Sequence, residues 1–306
     1  MIVARDTEIL EGKELVATIG FFDGVHLGHQ FLIEEMLSVA RARNLPAAVI
    51  TFPAHPRAIL HADYQPKLLN SFDEKLKHLD ATGVDYCVVL DFTVELSQLC
   101  AKDFIQQILC KRLHVHTLLI GYDHRFGHNR SEGFDDYVRY GQELGIEVIL
   151  AHAYIDKDVA VSSSVIRQLL SEGNVSEAAS CLGYDYFLNG IVVSGYRVGR
   201  KIGFPTANLR VDDPDKLVPS DGVYAVRVTV AGQSYGGMLS IGYRPTMANG
   251  TDRSIEVNIF NFHSDIYEQY ICLSFVRYLR PELKFDSIDE LIAQLHKDKE
   301  IASRYL

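Results

Sequence analysis

The spacing of apolar residues follows two rhythms along the chain, and the change falls near residue 185. In the first stretch, short apolar runs alternate with amphipathic segments. "ELVATIG" (14–20) reads as a buried strand, and beyond Gly28 the residues Leu32, Ile33, Met36, Leu37 and Ala40 recur at helical spacing. "AAVITF" (47–52) predicts the next strand, and Ser71 with Glu74 gives a capping-box signature for a helix carrying Leu76 and Leu79. A strand over 84–90, a helix over 101–113, a strand over 116–121, a helix near 134–144 and a strand over 146–151 complete the series. Such alternation predicts βαβ units and a parallel sheet covered on both faces. Ligand sites in such sheets lie outside the carboxyl ends of the strands.

Beyond residue 185 the strand-like runs follow one another directly: "LNGIVVSG", "GVYAVRVTV", "SYGGMLSIG", "SIEVNIFNF" and "EQYICLSFVRYL". Ala231-Gly232 sits between two of them as a hairpin turn. Ser287 and Glu290 repeat the capping box, ahead of a helix whose apolar face is Ile288, Leu291, Ile292 and Leu295. This half predicts an antiparallel β-barrel closed or plugged by a C-terminal helix. The expectation is therefore an α/β chain of two domains, 1–184 and 185–306, with the seam in "NVSEAASCLGYDY" (174–186).

Composition narrows the class. The 306 residues are 47% hydrophobic and 23% charged, ample for a core in each half. A net charge of −10 argues against a nonspecific nucleic-acid binder, which needs many phosphate-neutralising cations. The five cysteines are widely spaced with no CxxC pair, which points to buried reduced thiols rather than disulfides or a zinc site. The first residues lack the apolar core of a signal peptide, and no apolar run approaches the roughly 18 residues of a membrane span. A cytoplasmic protein with no membrane or nucleic-acid partner is expected.

Candidate chemistry collects where strands end. GFFDGVHLGH (20–29) follows the first predicted strand and places His26 and His29 three apart at the mouth of a helix. Free N–H groups and the helix dipole already favour an anion there, and two imidazoles add donors for phosphate oxygens. Gly20 and Gly24 let the backbone approach a ligand. "TFPAHP" (51–56) and "GYDHRFG" (121–127) also follow strands, so the three loops should converge on one crevice; a rigid turn is an equal reading of the first of these. "VSSSVIR" (161–167) offers Ser162, Ser163 and Arg167 as a phosphate grip, with an ordinary N-cap as the other reading of Ser162.

In the second half, Gly195, Gly199 and Gly203 with Arg200 and Lys201 form either a phosphate-cradling loop or a turn-rich barrel corner. In "PTAN", an extended chain puts Thr206 and Asn208 on one side as hard oxygen donors, the kind Mg²⁺ uses beside substrate phosphates. Alternation in "RSIEVNIFNF" puts Ser254, Glu256 and Asn258 on the face opposite Ile255, Val257 and Ile259; taken alone, Glu256 reads as a solvated acid.

These motifs resemble those of the bacterial bifunctional riboflavin kinase/FAD synthetases. GFFDGVHLGH is similar to the family's GxFDGxHxGH, "TFPAHP" to TFxxHP, "GYDHRFGHNRSEG" to GxDFxFGxxRxG and "VSSSVIR" to SSTxIR. "GYRVGRKIGFPTAN", "GVYAV", "SIGYRPTM", "IEVNIF" and "LRPELKFDSIDELIAQLHKD" continue in the order of the riboflavin kinase module. The resemblance implies a Rossmann-like HxGH nucleotidyltransferase domain (FMN adenylyltransferase) ahead of a barrel riboflavin kinase domain. It implies ATP, riboflavin and FMN as substrates and Mg²⁺ as cofactor; the sequence is silent on oligomeric state and leaves room for a weak homo-oligomer. It assigns His26, His29 and Arg167 to catalysis of adenylylation, with Gly20, Phe21, Asp23, Gly24, Asp123, Ser162 and Ser163 on the nucleotide. In the kinase half it assigns Glu256 as base, Thr206 and Asn208 to metal, and Gly195, Gly199, Arg200 and Lys201 to nucleotide.

The chain departs from the pattern at several points. His124 stands where phenylalanine is usual, Ser164 replaces threonine, and Glu132 is an extra acid. Asn258 stands where histidine is common, and Glu268 replaces glycine. Other HxGH transferases acting on pantetheine phosphate, nicotinamide mononucleotide or a cytidylyl acceptor are rivals, disfavoured because PTAN and Glu256 have no place in them. A class I aminoacyl-tRNA synthetase is disfavoured by the acidic balance. A flavin-sensing or storage module is disfavoured by the intact His26, His29, Thr206, Asn208 and Glu256.

Overall fold

The structure is a computed structural model describing residues 1–5, 10–54, 67–122, 124–128, 131–156, 159–195, 198–243 and 253–306. Contacts divide the chain into two compact units, Met1–Ser163 and Ser164–Leu306.

The first unit is built on six parallel strands: β1 (Ile2–Ala4), β2 (Leu15–Ile19), β3 (Ala47–Thr51), β4 (Tyr86–Val89), β5 (Val115–Ile120) and β6 (Glu147–Leu150), in spatial order β1-β4-β3-β2-β5-β6. Both faces are covered, as the continuous apolar runs required. Leu15, Ala17, Ile19, Ala48, Ile50, Leu118 and Ile120 feed one core, while Val16, Ala47, Val49, Cys87 and Leu119 feed the other. Helices α1 (Leu27–Arg43) and α2 (Phe72–Ala81) close the second core through Ile33, Met36 and Leu79. The other face is closed by segments around α3 (Val94–Gln98), α4 (Ala101–Phe104) and α5 (Phe134–Leu144), with Phe104, Leu109 and Tyr137 in the core. A short hairpin, β7 (Ile155–Asp156) with β8 (Val159–Ala160), follows.

Two features differ from the pattern-based expectation. Strand β1 was not foreseen: it has three residues, two of them exposed, and holds the sheet edge by pairing with Tyr86–Val88. The expected single helix over 101–113 is α-helical only to Phe104 and then π-helical over Ile105–Arg112. Ile105, Leu109 and Leu113 recur every fourth residue and are all fully buried.

The second unit contains α6 (from Ser164 of the Ser163–Ser171 helix), α7 (Val175–Leu182) and a closed antiparallel barrel. Its strands are β9 (Phe187–Val193), β10 (Ala207–Val211), β11 (Gly222–Val230), β12 (Gln233–Tyr243), β13 (Arg253–Ile259) and β14 (Tyr270–Arg280), ordered β10-β13-β12-β11-β14-β9. A one-turn helix α8 (Val198–Lys201) precedes β10, and α9 (Ile288–Ser303) ends the chain. The Ala231-Gly232 turn has φ of +48° and +80°, the pair of left-handed residues that a type I′ hairpin requires.

The C-terminal helix departs from its expected cap and face. Ser287 Oγ accepts from the Glu290 N–H (3.2 Å), but the Glu290 carboxylate accepts from Asp286 N–H, so the box is only half formed. Ile288 is 65% exposed, while Ile292 and Leu295 pack on the barrel. What fixes the helix is polar: Arg280 makes a forked pair with buried Asp298 (2.7–3.1 Å), and Gln294 donates to the same carboxylate. Losing one partner of so buried a pair costs about 3–5 kcal/mol. Of the five free cysteines, Cys87 alone is fully buried; the other four are half-buried, contrary to expectation.

Candidate active sites

Strand β2 connects leftward to β3 and β4, and its other neighbour is β5, so the sheet's topological switch point lies between β2 and β5. Loops leaving the carboxyl ends of these strands flank a natural ligand crevice. GFFDGVHLGH leaves β2 and the 121–128 segment leaves β5.

The turn between β2 and α1 is tight and strained. Phe22 (φ +56°) and Val25 (φ +36°) occupy the left-handed region together with Gly24 (φ +83°). The strain puts His26 at the N-cap of α1, where its Nδ1 accepts from the His29 N–H (3.3 Å). An acceptor at Nδ1 places the neutral ring's proton on Nε2. The two rings stack, with centroids 3.6 Å apart and planes within 19°. Gly28 makes this fit, because a Cβ there would stand 3.2 Å from the His26 ring and 3.3 Å from the Val161 carbonyl.

His29 is held well below the usual histidine range, first by burial and then by His26, His124 and Lys75. Its Nδ1 is buried without a hydrogen-bond partner among the described residues. A neutral imidazole in a costly setting at a helix mouth has the character of a functional group.

The other sequence candidates are distributed as follows. The Asp23 carboxylate accepts from Leu69 and Asn70 N–H (3.0 and 3.3 Å), and Ser163 Oγ donates to the Asp23 carbonyl (2.8 Å). Both interactions brace the turn that carries the histidines. A Cβ on Gly20 would meet the Phe22 ring at 3.1 Å. Ser162 is half-buried; Arg167 lies on α6 in the second unit, also half-buried. Asp123, His55 and Arg130 fall outside the described residues. The rest of the 121–128 loop is anchored by Tyr137, whose ring stacks on Phe126 and whose hydroxyl accepts from Phe126 N–H (3.0 Å). The extra acid Glu132 accepts from Ala101 N–H at the start of α4, and the His124 N–H donates to the Gly121 carbonyl.

Sequence reasoning missed Lys75. It is 3% exposed, with its Nζ on the Phe52 and Phe21 carbonyls (2.8 and 3.0 Å) and near Thr51 Oγ1 (3.4 Å). Burial lowers its pKa to about 8, opposed by Asp23 and Cys87.

In the barrel, strand pairing assembles the second constellation. Asn208 on β10 is the register partner of Glu256 on β13, and Ser240 on β12 faces Glu256 from the other side. Directly opposed residues share a face. Thr206 Oγ1 donates to Glu256 Oε2 (3.2 Å), so a hydroxyl and a carboxylate meet next to the strand position that carries the Asn208 amide. Asn258 is buried and donates to the Pro205 carbonyl (2.7 Å), steadying the residue before Thr206. Glu268 holds φ +62°, so the backbone keeps the left-handed conformation that glycine would adopt freely. Arg200 and Lys201 are exposed on α8. A cavity of about 440 Å³ opens beside Thr206, with Val192, Val257, Ile259, Phe262 and Tyr267 among its walls and Arg200 at its edge. Thr206, His263 and Asp265 add polar groups to these walls, and the size suits one planar ring system of a substrate.

Gly195 is placed so that the asparagine can sit there. A Cβ would stand 2.3 Å from Asn208 Nδ2, and one on Gly199 would stand 2.2 Å from the Phe204 carbonyl. The kinase activity that the sequence resemblance implies should fall by roughly 10²-fold in Gly195→Ala, the scale of a 1 Å misplacement, and the divalent-metal concentration it needs should rise. Phosphorylation assayed across a metal titration checks this; an unchanged curve would free Asn208 from the site.

Paired imidazoles at a sheet's switch point suit phosphate handling, and oxygen donors beside a ring-sized slot of mixed lining suit phosphoryl transfer. The class these features suit is a transferase that handles phosphate groups. Comparison with known proteins agrees in both halves. The family described as FAD synthetase matches residues 9–165 and the family described as riboflavin kinase matches 182–306. Proteins named bifunctional riboflavin kinase/FMN adenylyltransferase from Listeria monocytogenes and Escherichia coli are 39% and 37% identical. The matches cover 93% and 95% of this chain, and 90% and 92% of theirs. A crystal structure titled macrolide-efflux protein from Streptococcus pneumoniae matches with TM-score 0.89 and 33% identity over 100% of this chain and 99% of its own. In the present chain no described helix is long and apolar enough to cross a membrane. The chain belongs to the bifunctional riboflavin kinase/FMN adenylyltransferase family, and its activities are phosphorylation of riboflavin and adenylylation of FMN. Both activities use ATP and, in general, a divalent metal.

Proposed function

We propose that the two activities occupy separate centres: adenylylation in residues 1–184 around His26 and His29, phosphorylation in residues 185–306 around Glu256. The observation that carries this reading is that His26 and His29 lie in one compact unit, and Thr206 and Glu256 in the other.

In the barrel, Glu256 accepts the proton of the ribityl 5′-hydroxyl as that oxygen attacks the γ-phosphorus of ATP. The Thr206 hydroxyl fixes the carboxylate by donating to Oε2, which leaves its own oxygen lone pairs for a cation. Thr206 and Asn208 fit Mg²⁺ as hard, neutral oxygen donors beside Glu256, and the ion bound there would offset triphosphate charge. Gly195, Gly199, Arg200 and Lys201 flank the nucleotide. A general base supplies about 10²–10⁴-fold, so positioning carries much of the remaining acceleration.

In the α/β unit, a phosphate oxygen of FMN attacks the α-phosphorus of a second ATP and pyrophosphate leaves. No protein nucleophile is needed. His26 and His29 donate to triphosphate oxygens, with Gly20, Phe21, Asp23, Gly24, Asp123, Ser162 and Ser163 around the nucleotide; family resemblance assigns Arg167 to the same triphosphate. The protein works in the cytoplasm on small molecules, without nucleic-acid partners and with room for weak self-association.

With riboflavin and Mg-ATP, HPLC should show FMN rising and then giving way to FAD, with one ADP and one pyrophosphate formed per FAD. FAD appearing without ADP would overturn the sequence of steps.

A further inference from the structure

Lys75 sits in the first turn of α2, whose start is fixed by the reciprocal Ser71–Glu74 capping box. The side chain runs inward. Its ammonium spans two adjacent strand ends: the Phe21 carbonyl follows β2, and the Phe52 carbonyl follows β3. Thr51 Oγ1 completes the set at 3.4 Å and itself donates to the Phe21 carbonyl (3.2 Å). The Phe21 ring lies 4.1 Å below the charge and the Phe72 ring 5.2 Å away. Three N–H bonds are thus matched to three acceptors.

An aliphatic side chain would fill this volume without the penalty of burying a charge. The amine's return is to satisfy two main-chain carbonyls where the sheet's own ladder stops. One of them opens the strained turn that delivers His26 and His29. We propose that Lys75 is a positioning residue for FMN adenylylation, clamping the ends of β2 and β3 so that the turn presents the two imidazoles in register. The proposal rests on the assignment of adenylylation to this unit.

The clamp also predicts a pH response. The charged and titratable groups facing Lys75 are Asp23 from the turn, Cys87 from β4 and His29 from α1, and Arg5 lies over the Phe72 ring. Burial brings the Lys75 pKa to about 8. A neutral amine has two N–H bonds for three acceptors, so the clamp loosens as pH rises through that value. Stability moves the other way. The unfolded lysine keeps its proton to a pH of about 10.4, so between these values the unfolded state binds more protons and this group's contribution to stability rises with pH. A basic loss of activity from this source is therefore not unfolding.

The test compares wild type, Lys75→Met and Lys75→Arg, full length, for both activities from pH 6.5 to 9.5, with thermal unfolding alongside. Lys75→Met should lower kcat for FAD formation from FMN on the order of 10²-fold, with riboflavin phosphorylation retained as the internal sign of a folded chain. Wild type should lose FAD formation above about pH 8, and Lys75→Arg, charged throughout, should recover part of the rate with no such basic limb. FAD formation at the wild-type rate in Lys75→Met, or a basic limb that persists in Lys75→Arg, would overturn the clamp. If Lys75→Met does not fold, the Lys75→Arg pH profile decides by the same criterion. His29→Ala separates the two ideas: if it abolishes FAD formation while Lys75→Met spares it, the clamp alone has failed.

Discussion

Glu256→Gln should lower riboflavin phosphorylation by about 10²–10⁴-fold while leaving the conversion of supplied FMN to FAD at the wild-type rate. Glutamine keeps the length and an oxygen for the Thr206 hydroxyl, so the barrel and the PTAN segment stay as they are. What is lost is the carboxylate that, in the proposed mechanism, takes the proton from the attacking hydroxyl. The two reactions are read separately by HPLC, one started with riboflavin and the other with FMN. An equal fall in both would remove the assignment of separate centres. A fall in phosphorylation of only a few fold would make Glu256 a positioning group and send the search for the base elsewhere.

The complementary variant, His29→Ala, should cut FAD formation by roughly 10²–10³-fold, the usual loss on removing one preorganised donor. Phosphorylation of riboflavin should be unaffected. The effect has two sources. The ring that would meet charge on the triphosphate is gone, and His26 loses the face on which it stacks at 3.6 Å. The depressed pKa of His29 gives the substitution a second meaning. A neutral ring donates a single N–H, and an arriving triphosphate favours the imidazolium. FAD formed at the normal rate in His29→Ala would sink the adenylylation site.

Much of this was legible in the chain because the relevant geometry is local. Two histidines three apart at a helix mouth must share a face, and the stacked rings follow from that spacing. Alternation in 253–259 put Glu256 and Asn258 on one side, and strand pairing then added Asn208. What stayed hidden depends on distant segments. Lys75 on an amphipathic helix reads as a solvated cation, since nothing local says that two strand ends will meet its amine. β1 has three residues and no apolar period to mark it. Ile288 fits a helical stripe, yet the ion pair of Arg280 and Asp298 fixes the helix so that it lies outside the packed face. The departures at Asn258 and Glu268 were visible as letters, but their meaning was conformational: one holds the Pro205 carbonyl, the other occupies a left-handed backbone.

The turn of Phe22 and Val25 bears on how such a protein can change over generations. A β-branched residue at φ +36° is unfavourable by about 1–3 kcal/mol, and replacing Val25 itself by glycine would relieve it. Most proteins gain stability readily at sites of this kind. Here the relief would also free the backbone that aims two imidazoles. Selection for thermal robustness and selection for flavin nucleotide output therefore pull on the same two residues in opposite directions, and lineages that harden this enzyme should do so somewhere other than the turn.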